Sequence, residues 1–160
     1  MLDQFKGISE KEYRLLINAV SEITILIASA DGTIEESEKE WAEKITKIRS
    51  YSLPEGLRGF YKDVGQTFHE DIENLVVQYK EDNDELVQNL KFQLAKLNEI
   101  FEKIEDRSIA YELYKSFLSF ARHVARSTGG FLGWGAVGPK EGELIELKMI
   151  HEIKPPIADH

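Results

Sequence analysis

The chain predicts an all-α fold. Apolar residues recur at i, i+3, i+4 and i+7 through every long segment, and nowhere do they keep the two-residue alternation of a strand. Capping residues, glycines and prolines then divide the 160 residues into about six helices. One compact bundle spanning residues 1–160 is expected, because a chain of this length buries a full core without metals or staples.

The first helix starts near Ser9, whose S-x-x-E spacing to Glu12 is a capping box, and runs to Ala30 along Tyr13, Leu16, Ile17, Val20, Ile23 and Ile27. From Ile23 to Ala30 it is apolar on most sides, which places that end centrally in the bundle. A second helix is expected through Trp41, Ile45 and Ile48, introduced by the Thr33 and Glu36 box and ended near Arg49 by Ser50, Ser52, Pro54 and Gly56. Gly56, Gly59 and Gly65 weaken residues 51–66, where Leu57, Phe60, Tyr61 and Val64 suffice for a short helix. Thr67 and Glu70 read as another capping box, opening a third long helix on Phe68, Ile72, Leu75, Val76 and Tyr79.

The polar run from Lys80 to Glu85 holds good cap residues and is either a turn between helices or a solvated bend, after which Leu86, Leu90, Leu94, Leu97, Phe101 and Ile104 resume the period. Glu105 to Ser108 breaks it again. Ala110, Leu113, Tyr114, Phe117, Ala121 and Val124 mark a fifth helix, stopped by Gly129 and Gly130. Pro139 suits the first turn of a sixth, carried by Leu144, Leu147 and Ile150 and ended by Pro155 and Pro156.

Composition excludes several classes of function. Without cysteine there are no disulfides, thiolate metal sites or cysteine nucleophiles. A formal net charge of −9 opposes extended contact with phosphate backbones, so no nucleic-acid partner is expected. No apolar run is long enough for a transmembrane segment and the N-terminus has no signal-peptide pattern, which together indicate a cytoplasmic protein.

The segment from Ala28 to Glu38 sets a tight acidic turn between two helical patterns. Asp31, Gly32, Ile34 and Glu38 match positions five, six, eight and twelve of an EF-hand loop, but Ile27 and Ser29 stand where its first two acidic ligands belong. Asp31 and Glu38, with Glu35 and backbone carbonyls, then form a charge-poor oxygen site, favouring calcium over magnesium. The same carboxylates also stabilise a loop and a helix N-terminus without any ion, and both readings stand. Residues Trp134 to Glu141, aligned with Asp31 to Glu38, repeat the glycine, the aliphatic residue two further on and the final Glu. This suggests two pseudo-repeated helix-loop-helix units, with Glu141 near Glu38 in a shared site.

The run Ile25-Leu26-Ile27-Ala28-Ser29-Ala30-Asp31-Gly32-Thr33-Ile34 followed by Glu38, in helical surroundings with a related second loop, resembles the TerB-like family associated with tellurite resistance. The resemblance extends from about Ser9 to about Ile153. It implies a compact helical bundle, no established catalytic activity, a divalent-cation site at the acidic loops, and a stress-response role beside other proteins at or near the inner membrane. Asp31, Gly32, Glu38 and, more weakly, Glu141 carry it over. The second loop has Trp134 and Gly135 where the family tends to repeat Asp-Gly, so two equivalent metal sites are not expected.

Gly133 to Gly138 satisfies G-x-G-x-x-G, but a helical pattern rather than a strand precedes it, and Glu141 and Glu143 would meet a pyrophosphate. The loop is better read through Phe131, Leu132 and Trp134, which either fold back onto the bundle or form a partner-binding patch. His69, His123, His151 and His160 match no metal-binding spacing. The expected function is thus a non-enzymatic, stress-associated cation and partner binder. An ion-independent helical adaptor is the alternative. An enzyme would require a polar cleft between helices holding a carboxylate of abnormal pKa.

Overall fold

The computed structural model describes residues 5–29, 55–129 and 147–156, and among these every regular element is helical. Five helices form: α1 (Glu10–Ser29), α2 (Glu55–Glu81), α3 (Asn83–Ala95), α4 (Leu97–Lys103) and α5 (Arg107–Gly129). The expected second helix, the acidic turn and the glycine-rich loop lie outside the described residues.

The expected capping box opens α1. The Glu12 amide donates to Ser9 Oγ at 3.1 Å, and the Ser9 amide donates to Glu12 Oε1 at 3.0 Å. Leu16, Val20, Ile23, Ile25, Leu26 and Ile27 are all fully buried, so α1 from Ile23 to Ile27 is enclosed by the bundle, with Thr24 its one buried polar side chain there.

The 51–66 region corrects the sequence reading. Thr67 is not a cap, because α2 runs unbroken from Glu55 to Glu81 and the Thr67 hydroxyl instead donates to Asp71 Oδ2 at 3.1 Å. Three helical glycines cost about 1 kcal/mol each against alanine. Burying Leu57, Phe60, Tyr61, Val64 and Phe68 contributes about 1.5–3 kcal/mol apiece, and that burial wins.

The polar run after α2 becomes a one-residue joint. Asp82 Oδ1 accepts from the Glu85 amide at 3.1 Å and caps α3, so α2 and α3 form a hairpin. Lys96 separates α3 from α4, dividing what the stripe from Leu86 to Ile104 suggested as one helix. Arg107 Nη1 then donates to the carbonyls of Phe101 and Ile104 at 2.7 and 3.0 Å, satisfying groups that the end of α4 leaves open. Asp106 Oδ1 accepts from the Ser108 and Ile109 amides and starts α5.

Cross-helix pairs set the helix directions. Tyr13 of α1 bonds Asp63 of α2, and more than two turns further along both helices Glu22 lies beside Asp71, so α1 and α2 run parallel. Tyr61 meets Ser116 at 2.8 Å and the Phe68 ring meets Phe120 at 6.4 Å, so α5 runs with them. Hence α1 and α5 end at the same end of the bundle. At the other end Phe5 is fully buried against Tyr13 and Phe60, with ring centroids 5.3 and 5.8 Å away.

The sixth helix is corrected in its described part. Residues 147–150 form a turn, with Leu147 at a φ of 47° and the Ile150 amide donating to the Leu147 carbonyl, and residues 151–156 continue without helix. Asn98 explains the departure: its amide donates to the Met149 carbonyl at 3.0 Å and accepts from the His151 amide at 2.7 Å. It thereby takes backbone groups that a helix would pair internally.

Candidate functional site

The sequence-derived ligands Asp31, Glu35, Glu38 and Glu141, and the loop residues Phe131, Leu132 and Trp134, all lie outside the described residues. Among the described residues no group of three or more His, Asp or Glu side chains is placed to hold a metal. The chemistry that the described helices do assemble lies elsewhere, between α1 and α2.

Asn18, Ser21 and Glu22 of α1 face Asp71, Asn74 and Leu75 of α2 across a cleft of about 160 Å³. Helical spacing puts these residues on one face of each helix, since 18, 21 and 22 fall within about one turn, as do 71, 74 and 75. Ser21 is buried and donates to the Asn18 carbonyl at 2.9 Å, so its hydroxyl is satisfied within α1. Thr24, one turn on, does the same with the Val20 carbonyl. Asn18 Oδ1 has no such partner: it is shielded from solvent with no hydrogen bond. A buried amide oxygen left in that state costs about 1–3 kcal/mol.

The two carboxylates have different surroundings. Asp71 accepts the Thr67 hydroxyl at 3.1 Å. Glu22 is partly buried, and burial first, then the negative charge of Asp71, push its carboxyl up to about 7. Glu22 therefore exchanges a proton near neutral pH, as a general acid or base must. The cleft's volume falls below the about 300–1,000 Å³ of small-molecule sites.

Glu22 did leave a mark in the sequence. It is the lone charged residue between Arg14 and Asp31, within a stretch that is otherwise uncharged and mostly apolar. A charge there must be paired, solvated or protonated. Asp71 carried no such mark, since it sits among Glu70, Glu73 and other acids of an ordinary polar helix face.

The described surface carries two large exposed apolar side chains, Val77 and Phe92, and the Lys96 ammonium lies over the Phe92 ring at 4.8 Å. No described helix is long and apolar enough to cross a membrane. No family model matches this chain, and neither a curated protein nor a solved structure does.

Proposed function

We propose that this chain is a non-enzymatic, TerB-like protein of a cytoplasmic stress response such as tellurite resistance, in which Asp31 and Glu38, supplemented by Glu35 and Glu141, hold one divalent cation. Calcium is favoured over magnesium by the mixed oxygen ligands of a turn. The glycine-rich loop, through Phe131, Leu132 and Trp134, is its surface for a protein partner at or near the membrane.

One observation supports this reading. Because α1 and α5 run in the same direction, their last residues, Ser29 and Gly129, lie at the same end of the bundle. Asp31 lies two residues beyond the end of α1 and Glu141 twelve beyond the end of α5. At about 3.3 Å per extended residue, both have the reach to share an ion.

Calorimetric titration of calcium, magnesium and zinc into chelator-treated protein tests it. Wild type is expected to bind one cation, with Asp31→Asn and Glu38→Gln each weakening binding at least about tenfold, the loss of one charged contact. No heat of binding, together with unchanged stability in both variants, leaves the ion-independent helical adaptor. Glu22 favours a second, enzymatic reading, since it is the abnormal carboxylate in a polar cleft that such a reading requires. The cleft's small volume ranks that reading below the first.

A further inference from the structure

The cleft between α1 and α2 is lined by hydrogen-bond acceptors and lacks the charge that would balance them. Glu22 and Asp71 meet across it, with Asn18 and Ser21 beside Glu22 on α1 and Asn74 beside Asp71 on α2. Among the described residues no Lys, Arg or His side chain lines it, and neither carboxylate has an ion-pair partner. Charges withdrawn from water are ordinarily paired.

Asn18 adds an independent pointer. Its Oδ1 atom is shielded from solvent and accepts no hydrogen bond, whereas the neighbouring buried hydroxyls of Ser21 and Thr24 are satisfied by the Asn18 and Val20 carbonyls. A buried amide oxygen in this state lacks a donor. The χ2 torsion of asparagine is broad, so a small rotation turns the oxygen onto a donor placed in the cleft.

The carboxylates have spare capacity as well. Asp71 accepts the Thr67 hydroxyl through Oδ2 alone, and Glu22 accepts no hydrogen bond from a described residue. Asn18 Oδ1, the Glu22 carboxylate and Asp71 Oδ1 are therefore three unfilled acceptors, carried by two parallel helices on the walls of one cleft.

We propose that this cleft binds the head of a primary ammonium ion, whose three N–H groups are taken by Asn18 Oδ1, the Glu22 carboxylate and Asp71 Oδ1 while its first methylenes lie on Leu75. An ammonium has three donors and no acceptor, which matches the set in number and in sign. A divalent metal is a poorer occupant, since no third His, Asp or Glu side chain joins these two among the described residues. The volume of about 160 Å³ suits a head group whose chain points to solvent, not a whole enclosed ligand. The Glu22 carboxyl, pushed up to about 7 by burial and then by Asp71, must ionise to take the ammonium, so binding tightens as pH rises through that value. Asp71 is the one charged side chain that faces Glu22 among the described residues.

The test is titration of propylammonium chloride into the full chain at pH 8, followed by amide chemical shifts, with tetramethylammonium chloride and calcium chloride at matched ionic strength as comparisons. Propylammonium should give saturable shifts centred on residues 18–22 and 71–75. Tetramethylammonium, which carries the charge without an N–H, should not. Glu22→Gln and Asp71→Asn should each weaken binding by about tenfold or more, and Asn18→Ala by several-fold. Wild type should bind about tenfold more weakly at pH 6 than at pH 8, because a carboxyl titrating near 7 is only about one-tenth ionised at pH 6, and Glu22→Gln should lose that dependence. Circular dichroism should show the variants folded, since Gln and Asn keep the side-chain shapes and Asn18 Oδ1 makes no bond for alanine to remove. Asp31→Asn should leave amine binding unchanged, which separates this site from the acidic turn. The proposal is overturned if propylammonium does not saturate folded protein, if tetramethylammonium binds as tightly, if calcium displaces the amine from these residues, or if Glu22→Gln binds as wild type does.

Discussion

Glu22 is where the cost of carrying a charge inside this bundle is concentrated. Its carboxyl titrates near 7 when folded, against about 4.5 in the unfolded chain. Between those values the folded state binds more protons, so stability falls as pH rises through this window. Asn18, Ser21, Asp71 and Asn74 face the group, and none supplies a positive charge. Glu22→Gln is therefore expected to match wild type near pH 4.5 and to be more stable at pH 8, by on the order of 2–3 kcal/mol. Urea unfolding of both proteins across this range measures it. Parallel curves would mean that Glu22 is solvated in the folded state. Glu12 has the opposite character: the exposed Lys103 ammonium, 2.8 Å away, is the first cause holding its carboxyl below the usual range.

At the scale of elements, the helix starts carry most of the local information. Ser9, Asp82 and Asp106 each place a side-chain oxygen on the amides of a new helix, a contact that needs only neighbours within three residues. The N-terminal turn is different, because it depends on a distant partner. The Glu105 amide donates to the Lys6 carbonyl at 2.9 Å, which ties that turn to the α4–α5 connection. Gly7 has a φ of 100°, and a Cβ there would land on the Lys103 carbonyl oxygen, which is backbone and has nowhere to go. Gly7→Ala is expected to cost more than about 2 kcal/mol in thermal or chemical unfolding. Gly56→Ala should cost much less. Its Cβ would meet only the Ile109 Cδ1 atom at 2.7 Å, the far end of a flexible side chain. Equal losses in the two variants would show that the N-terminal turn is not held as described.

Across the whole molecule, one aromatic cluster joins three parallel helices to the N-terminal segment. The Phe60 ring lies 5.8 Å from Phe5, 6.0 Å from Tyr13, 5.1 Å from Tyr61 and 6.1 Å from Phe117, and Phe117 reaches Phe101 in turn. Beside it the Tyr61 and Ser116 hydroxyls share a buried hydrogen bond, with Ser116 also donating to the Leu113 carbonyl. Phe60→Ala removes contacts to every one of these elements and is expected to cost about 3–5 kcal/mol. That is a large part of the about 5–15 kcal/mol typical of a domain. A single unfolding transition shifted to lower denaturant would show that the elements melt together. Two separated transitions would show that the cluster is not their common support.

The sequence by itself determined what neighbouring residues decide: the helical class, the start of α1 at its capping box, the joint at Asp82 and the break before α5. Each rests on contacts within about one turn, so the chain carries them locally. Tertiary structure alone decided that α2 runs through its glycines, that Leu147 to Ile150 forms a turn, and that Glu22 faces Asp71. The first depends on burial of an aromatic stripe against other helices, and the second on the Asn98 side chain fifty residues away in the chain. The third depends on the parallel pairing of α1 with α2, which no periodicity within either helix encodes. Long-range packing outweighs local propensity at these points because burying one large apolar side chain is worth more than the helix penalty of one glycine.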